Sequence, residues 1–430
     1  MADFLSRGAA TILGVVIVIA TAMSLMRTVV IPRALRSMIS DAVAKSVIWL
    51  GIGVSMLRRT YRGRDAVLAG VGPSIIILQL IAWLLLFLVG YGLMIYGISG
   101  NHGLGEAMRQ SGSSLLTLGF ASASHSEQTV VDFFAAATGP IVIALLIGFL
   151  PTIYSVYLER EQDVAILVVS GGGPAWGPEI LARYTVAHDV HDLEAVFRSW
   201  SSWAARLRLT HVTYPVMLWV RSSRSGHHYI TSLLAVLDAA SLQLSLNNSL
   251  RRNEAYMTLL QGVQAFEVLY VFLFRKRAWR VAKVFSPQQL GGVESSIQRV
   301  VREKHLSRSP LLAQAAANLD GAHELDEKML DQLIAGGRQG ITVTRADFDS
   351  AVDMLGVAGF PIEVERDEAW QRFALMRARY EFAALAIAYR LDATPAPWSG
   401  PRRKPTPVLW PTRVVDLLPK GDDPDQKAAS

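Results

Sequence analysis

Ile77–Gly97 reads ILQLIAWLLLFLVGYGLMIYG, a stretch with no charge and a single amide side chain, Gln79. It lies inside a longer uncharged run, Ala66 to Gly100. A helix needs about 20 consecutive apolar residues to cross a hydrocarbon core about 30 Å thick, so this run predicts a membrane span. Two more runs accompany it. Gly8–Met26 is uncharged over 19 residues and Phe133–Leu158 over 26, long enough to cross with tilt. A signal peptide is the alternative for the first run. Against it, Asp3 and a lone Arg7 make a weak basic leader, and the run exceeds the apolar region of about 7–15 residues usual in such peptides.

Working outward, 51% of the 430 residues are hydrophobic and 18% charged, with a mean hydropathy of +0.30. Soluble domains carry about 25% charge; the shortfall here falls in the first 158 residues. Arg27, Arg33, Arg36, Lys45, Arg58, Arg59, Arg62 and Arg64 lie between the first and second spans, whereas Arg109 is the only lysine or arginine between the second and third. The positive-inside rule then predicts a multi-pass protein of the cell inner (plasma) membrane. Its N-terminus is outside, and its first loop and everything after Leu158 are cytoplasmic. Basic residues gathered beside apolar spans do not form the patch of a nucleic-acid binder, so no nucleic-acid partner is expected. Val47–Leu57 is too short to cross and reads as an interfacial helix. The absence of cysteine excludes disulfides, thiolate metal sites and cysteine nucleophiles.

Between the second and third spans stands NHGLGEAMRQSGSSLLTLGFASASHSEQTVVD, Asn101 to Asp132. Gly105–Leu116 can form a short helix, and Thr117-Leu118-Gly119-Phe120-Ala121 follows at once. This order of span, short helix, Thr-apolar-Gly-aromatic-small and span resembles the pore module of the single-pore-loop potassium-channel superfamily over about Ala66–Leu158. The resemblance implies an all-α polytopic membrane fold. Two spans would flank a re-entrant pore helix and loop, with one additional N-terminal span and a helical cytoplasmic C-terminal region. It further implies a selectivity-filter-like role for Thr117, Leu118, Gly119, Phe120 and Ala121, whose backbone carbonyls would replace an ion's water shell. The short helix would aim its negative end at the cation path. This chain departs from the family's pattern at Leu116, Ala121 and Ser122, and Ser111, Gly112, Ser113 and Ser114 weaken the short helix as a helix. Gly139 falls where the family has an inner-helix hinge; small-residue packing between helices is the other reading of the same glycine.

Beyond Leu158, Glu159-Arg160-Glu161 mark exit into water, and SGGGPAWGP (Ser170–Pro178) is a turn without the Gly-Lys-Ser/Thr ending of a phosphate loop. The expected organisation is an N-terminal span and basic loop with its interfacial helix (1–65), a pore-like module (66–158), a cytoplasmic helical domain (159–284), a second helical unit (285–393) and a disordered tail (394–430). YPVMLWVRSS (Tyr214–Ser223) resembles the tail of bacterial channel-like membrane proteins of unassigned role. Tyr256–Phe274 reads as a buried bundle helix or a fourth span; Glu267 in its middle argues for the former. DEAWQRFALMRARYEFAALAIAYRL predicts one amphipathic helix with a solvated Arg/Glu stripe, and Thr344–Asp347 a capping box. His188 and His191, with Asp189 and Asp192, lack a third ligand group at diagnostic spacing, and His227-His228 is a lone pair.

No catalytic constellation is evident, so the chain is not expected to be an enzyme or to hold a metal or cofactor. The expected function is a potassium-channel-like, cation-conducting pore with a cytoplasmic regulatory or assembly domain. K+ or another monovalent cation would be the permeant ion, and the lipid bilayer and further copies of the chain, a homotetramer, the partners. The alternative is a non-conducting membrane-anchored adaptor or signalling scaffold that keeps the pore-module fold. A transporter subunit is the weaker third reading, motivated by the Gly- and Pro-broken third span.

Overall fold

The computed structural model describes residues 2–31, 37–99, 103–121, 123, 126–187, 190–284 and 341–417. Every long element among them is a helix, and no strand occurs among the described residues. The chain divides into two compact units: residues 1–158 with 211–221, and residues 159–210 with 222–430.

The first unit contains α1 (Ala2–Leu25, continued by a π turn at Met26–Val30), α2 (Met38–Met56), α3 (Tyr61–Ala69), α4 (Val71–Ile98), α5 (Leu104–Leu115) and the first part of α6 (Ser126–Gly171). By length and composition α1, α4 and α6 are candidate membrane spans, and they coincide with the three uncharged runs. They leave many apolar side chains exposed, such as Ile12, Leu85 and Ile147, as a lipid-facing surface requires. The chain is thus a multi-pass membrane protein by its helices.

α1 and α4 run antiparallel. Arg7 donates to the Tyr96 carbonyl at 3.2 Å and to that of Ser99, a cation on the negative end of α4. Near the other end of α1, the Trp83 indole N–H donates to Ser24 Oγ at 3.0 Å. The helices cross so closely at Gly97 that an added Cβ would stand 2.0 Å from Thr11 Oγ1 and 2.5 Å from the Arg7 carbonyl, the small-residue contact by which helices approach in lipid. Gly97→Leu is therefore expected to separate α1 from α4, seen as a large loss of thermal stability in detergent.

Because α1 and α4 are antiparallel, the end of α1 and the start of α4 lie on one side. α2 spans 19 residues, not the eleven of Val47–Leu57, since Asp41 and Lys45 sit inside the helix. That length also makes α2 a candidate span, though one followed by no return helix of its own. Val47, in mid-helix, packs with Val71 and Ile75 at the start of α4. α3, about 14 Å long, cannot carry the chain back across a core of about 30 Å. α2 runs lengthwise beside the first part of α4: Ser37 at its start bonds to Ser24, which also accepts the Trp83 indole N–H, and Val47 further along packs on Val71 and Ile75.

Residues 211–221, expected in the cytoplasmic helical domain, belong to the first unit. The reason is one ion pair and one apolar patch. Arg221 Nε donates to Asp65 Oδ1 at 2.5 Å and Nη2 donates to the Tyr61 hydroxyl at 3.0 Å, while Val216 and Trp219 pack on Leu68, Val71 and Ile75.

The second unit holds the rest of α6, α7 (Gly177–Ala187), α8 (Leu193–Thr213, up to Thr210), α9 (Tyr229–Leu246), α10 (Asn253–Val284), α11 (Arg345–Val357), α12 (Arg366–Arg377) and α13 (Glu381–Leu391). All 18 residues of α9 are buried. It has the composition of a candidate span but keeps no face for lipid, since α7, α10, α12 and α13 surround it. The 256–274 stretch belongs to this unit, with Tyr270 packed on Phe382 of α13 at 5.4 Å between ring centroids. α11–α13 pack with α7 and α9 rather than forming a unit of their own; residues 285–340 of that expected unit lie outside the described residues.

Three further expectations change. Arg160 does not enter water: it is 4% exposed, pairs with Glu161 at 2.8 Å and lies 4.2 Å from the Tyr229 ring centroid. The amphipathic run breaks into α12 and α13 at Ala378–Tyr380, and its Arg377 and Glu381 are buried, not solvated. Asp238 of α9 pulls Arg377 and Tyr380 inward. Of residues 394–417, the first part is packed, with Thr394, Ala396, Ser399 and Arg402 buried, while most of 403–417 is exposed and Arg183 holds the Thr412 carbonyl at 2.6 Å; the final 418–430 lie outside the described residues. The capping box forms, the Thr344 and Asp347 side chains each accepting the other's backbone N–H at 3.1 Å.

Candidate functional site

The segment between α4 and α6 is organised by its hydroxyls. The serines of α5, poor helix formers, each find a partner that fixes the helix in place. Ser111 Oγ donates to the Leu88 carbonyl of α4 at 2.8 Å. Ser114 Oγ and the Gln110 amide donate to the two oxygens of Asp132 on α6, at 2.8 and 2.9 Å. α5 is thereby fastened to both flanking helices, and its Ala107 and Leu115 join a core with Phe87, Tyr91, Val131 and Ala135. Tyr91 of α4 and Thr138 of α6 share a hydrogen bond of 2.7 Å.

α5 ends at Leu115, and Leu116–Ala121 turn back along it. The N–H groups of Thr117 and Leu118 donate to the Ser114 and Ser113 carbonyls at 3.0 and 2.8 Å. Ser113 Oγ then grips Ala121 twice: it donates to the carbonyl at 3.1 Å and accepts from the N–H at 3.0 Å. Within this clamp the backbone is left-handed at alternate residues, φ 55° at Thr117 and φ 72° at Gly119. For β-branched Thr117 this is strained, by about 1–2 kcal/mol. Ala121, one of the departures from the family's pattern, has no positive φ. Thr117→Gly is expected to stabilise the loop by about 1 kcal/mol, read as slower amide hydrogen exchange at Leu118 and Ala121.

Thr117, Leu118, Gly119 and Phe120 thus lie in one short loop with Ala121, and residues 116–120 are all exposed. Leu118 and Phe120 are each 59% exposed. Arg109 lies 6.0 Å from the Phe120 ring centroid. Ser122, another departure from the family pattern, lies outside the described residues.

Gly139 sits on α6 against the end of α5, where an added Cβ would stand 1.8 Å from the Leu115 carbonyl oxygen. α6 continues unbroken through Gly139, Pro140 and Pro151, so the packing reading of this glycine has a direct structural basis. Ser113 and Asp132 are functional candidates that the sequence reading passed over. Their signal was a run of hydroxyls on a helix otherwise too polar for its place beside two apolar spans.

The histidine groups act otherwise. His228 Nδ1 accepts the Ile230 N–H at 3.2 Å and caps α9. His188 and Asp189 lie outside the described residues. Comparison with known protein families, with curated proteins and with solved structures gives no match.

Proposed function

We propose that this chain is a pore-loop membrane protein in which copies assemble around Thr117–Ala121 and admit a monovalent cation such as K+. The observation that carries the reading is the clamped, exposed loop. It follows a short helix fastened to two candidate spans, and its backbone alternates in hand at Thr117 and Gly119. Irregular backbone at membrane depth is tolerated where it lines a cavity or is buried in protein. A single copy leaves this loop open, so neighbouring copies are its natural cover, four of them if the family's symmetry holds. The carbonyl end of α5 adds negative partial charge toward the loop. On this reading α1 is an additional span, and the second unit is a cytoplasmic assembly or regulatory domain of an inner-membrane protein.

The exposed Leu116, Leu118 and Phe120 side chains favour a second reading. Apolar side chains at the loop surface can close a pore by dewetting, which would leave a non-conducting scaffold with the same fold. Purified protein in planar bilayers separates the two. The expected result is a cation current whose selectivity changes in Gly119→Ala and Thr117→Ala. A tetramer silent at every voltage, pH and calcium concentration tested would sink conduction and leave the scaffold.

A further inference from the structure

The connection from α2 into α3 presents a surface of mixed character. Leu57-Arg58-Arg59-Thr60 joins the two helices, and Arg58, Arg59 and Arg62 are all exposed. Thr60 Oγ1 accepts the Gly63 N–H at 3.2 Å, and an added Cβ on Gly63 would stand 3.4 Å from Arg58 Cβ. Arg58 and Arg62 therefore flank the same first turn of α3, a turn without an acidic residue. On the preceding helix Trp49, Leu50 and Leu57 are exposed by 76%, 60% and 79%. An apolar patch thus runs directly into three guanidinium groups. Since α3 leads directly into α4 and Val47 of α2 packs on Val71, this patch stands beside the start of a candidate span, where the chain enters the bilayer surface.

We propose that this face, from Trp49 to Arg62, binds the headgroups of anionic phospholipids. Trp49, Leu50 and Leu57 enter the boundary between headgroups and acyl chains, as the apolar face of an interfacial helix does. Arg58, Arg59 and Arg62 meet the phosphates, for which the guanidinium fork is well shaped. Charge complementarity selects the occupant: a zwitterionic lipid supplies no net charge for three arginines. The inference depends on the membrane assignment and not on the pore reading. It also gives α3 two duties, because Tyr61 and Asp65 on its buried face hold Arg221.

The test uses the full chain in non-ionic detergent, with equal phosphatidylglycerol and phosphatidylcholine added and bound lipid counted by native mass spectrometry. Phosphatidylglycerol is expected to be retained preferentially. The preference should fall with added salt, as screening requires, and by about fivefold for each of Arg58→Gln, Arg59→Gln and Arg62→Gln. Arg206→Gln with Arg251→Gln, exposed arginines of the second unit, should leave it unchanged. An unaltered preference in the triple variant overturns the proposal, and so does an equal loss in the Arg206/Arg251 control. Displacement of the lipid by excess inorganic phosphate would assign the surface to free phosphate instead. If the triple variant fails to fold, the wild type still decides, since a preference indifferent to salt contradicts a headgroup site.

Discussion

Arg377→Met will lower the thermal stability of the second unit by about 3–5 kcal/mol, the cost of removing one partner from a buried ion pair. The guanidinium of Arg377 is fully buried and bonds to Asp238 of α9, to Glu381 Oε1 at 2.8 Å and to the Trp398 carbonyl at 2.6 Å. The Tyr380 hydroxyl adds a bond to Asp238 Oδ1 at 2.7 Å. Methionine fills much of the volume and leaves two carboxylates without their cation. Arg377→Lys should fare little better, because a single ammonium cannot serve three acceptors in the geometry of a planar fork. Adding Asp238→Leu to Arg377→Met should recover part of the loss, since an apolar replacement of the pair removes the stranded charge. Tryptophan fluorescence on heating in detergent reads the effect, as Trp398 lies against Arg377 at 5.6 Å from the ring centroid. Unchanged unfolding in Arg377→Met would contradict this account of the core.

Gly139→Ala carries the second large effect. The added methyl would meet the Leu115 carbonyl oxygen at 1.8 Å; the oxygen is backbone and the methyl's position is fixed by backbone, so neither side can give way by a rotamer change. Overpacking costs about 1–3 kcal/mol in most cores; here the upper end is expected, about 3 kcal/mol. α5 must move off α6, which strains the Ser114–Asp132 and Gln110–Asp132 bonds and loosens the loop that Ser113 clamps. Gly148→Ala on the same helix is the control. Nothing stands within 4 Å of its added Cβ, and alanine is the better helix former by about 1 kcal/mol, so that variant should be neutral or slightly stabilised. Equal behaviour of the two variants would remove the packing role assigned to Gly139.

The membrane helices were legible because lipid exposure writes itself as uncharged length: α1, α4 and α6 coincide with the three runs. The second unit was harder for the converse reason. α9 has the length and composition of a candidate span, yet its surroundings are protein, and composition alone does not show what covers a helix. Arg377 and Glu381 have the spacing of a solvated helical stripe, and only the position of Asp238, 139 residues from Arg377 in sequence, turns that stripe inward. Arg221 posed the same problem, since its partner Asp65 is 156 residues away. At the candidate site the loop and its helix could be read from order and composition. The clamp by Ser113 could not, because a serine that weakens a helix locally gives no local sign of the bond that repays it.

The central claim, that copies of the chain surround Thr117–Ala121, is tested most directly by a single cysteine at Leu118→Cys in a chain that otherwise has none. In a native-like bilayer under mild oxidation, a loop on a symmetry axis brings these thiols together. Covalent dimers formed by most of the protein are the expected result. Protein that stays monomeric while its thiol reacts fully with a small soluble disulfide would place the loop away from any neighbouring copy and contradict the claim.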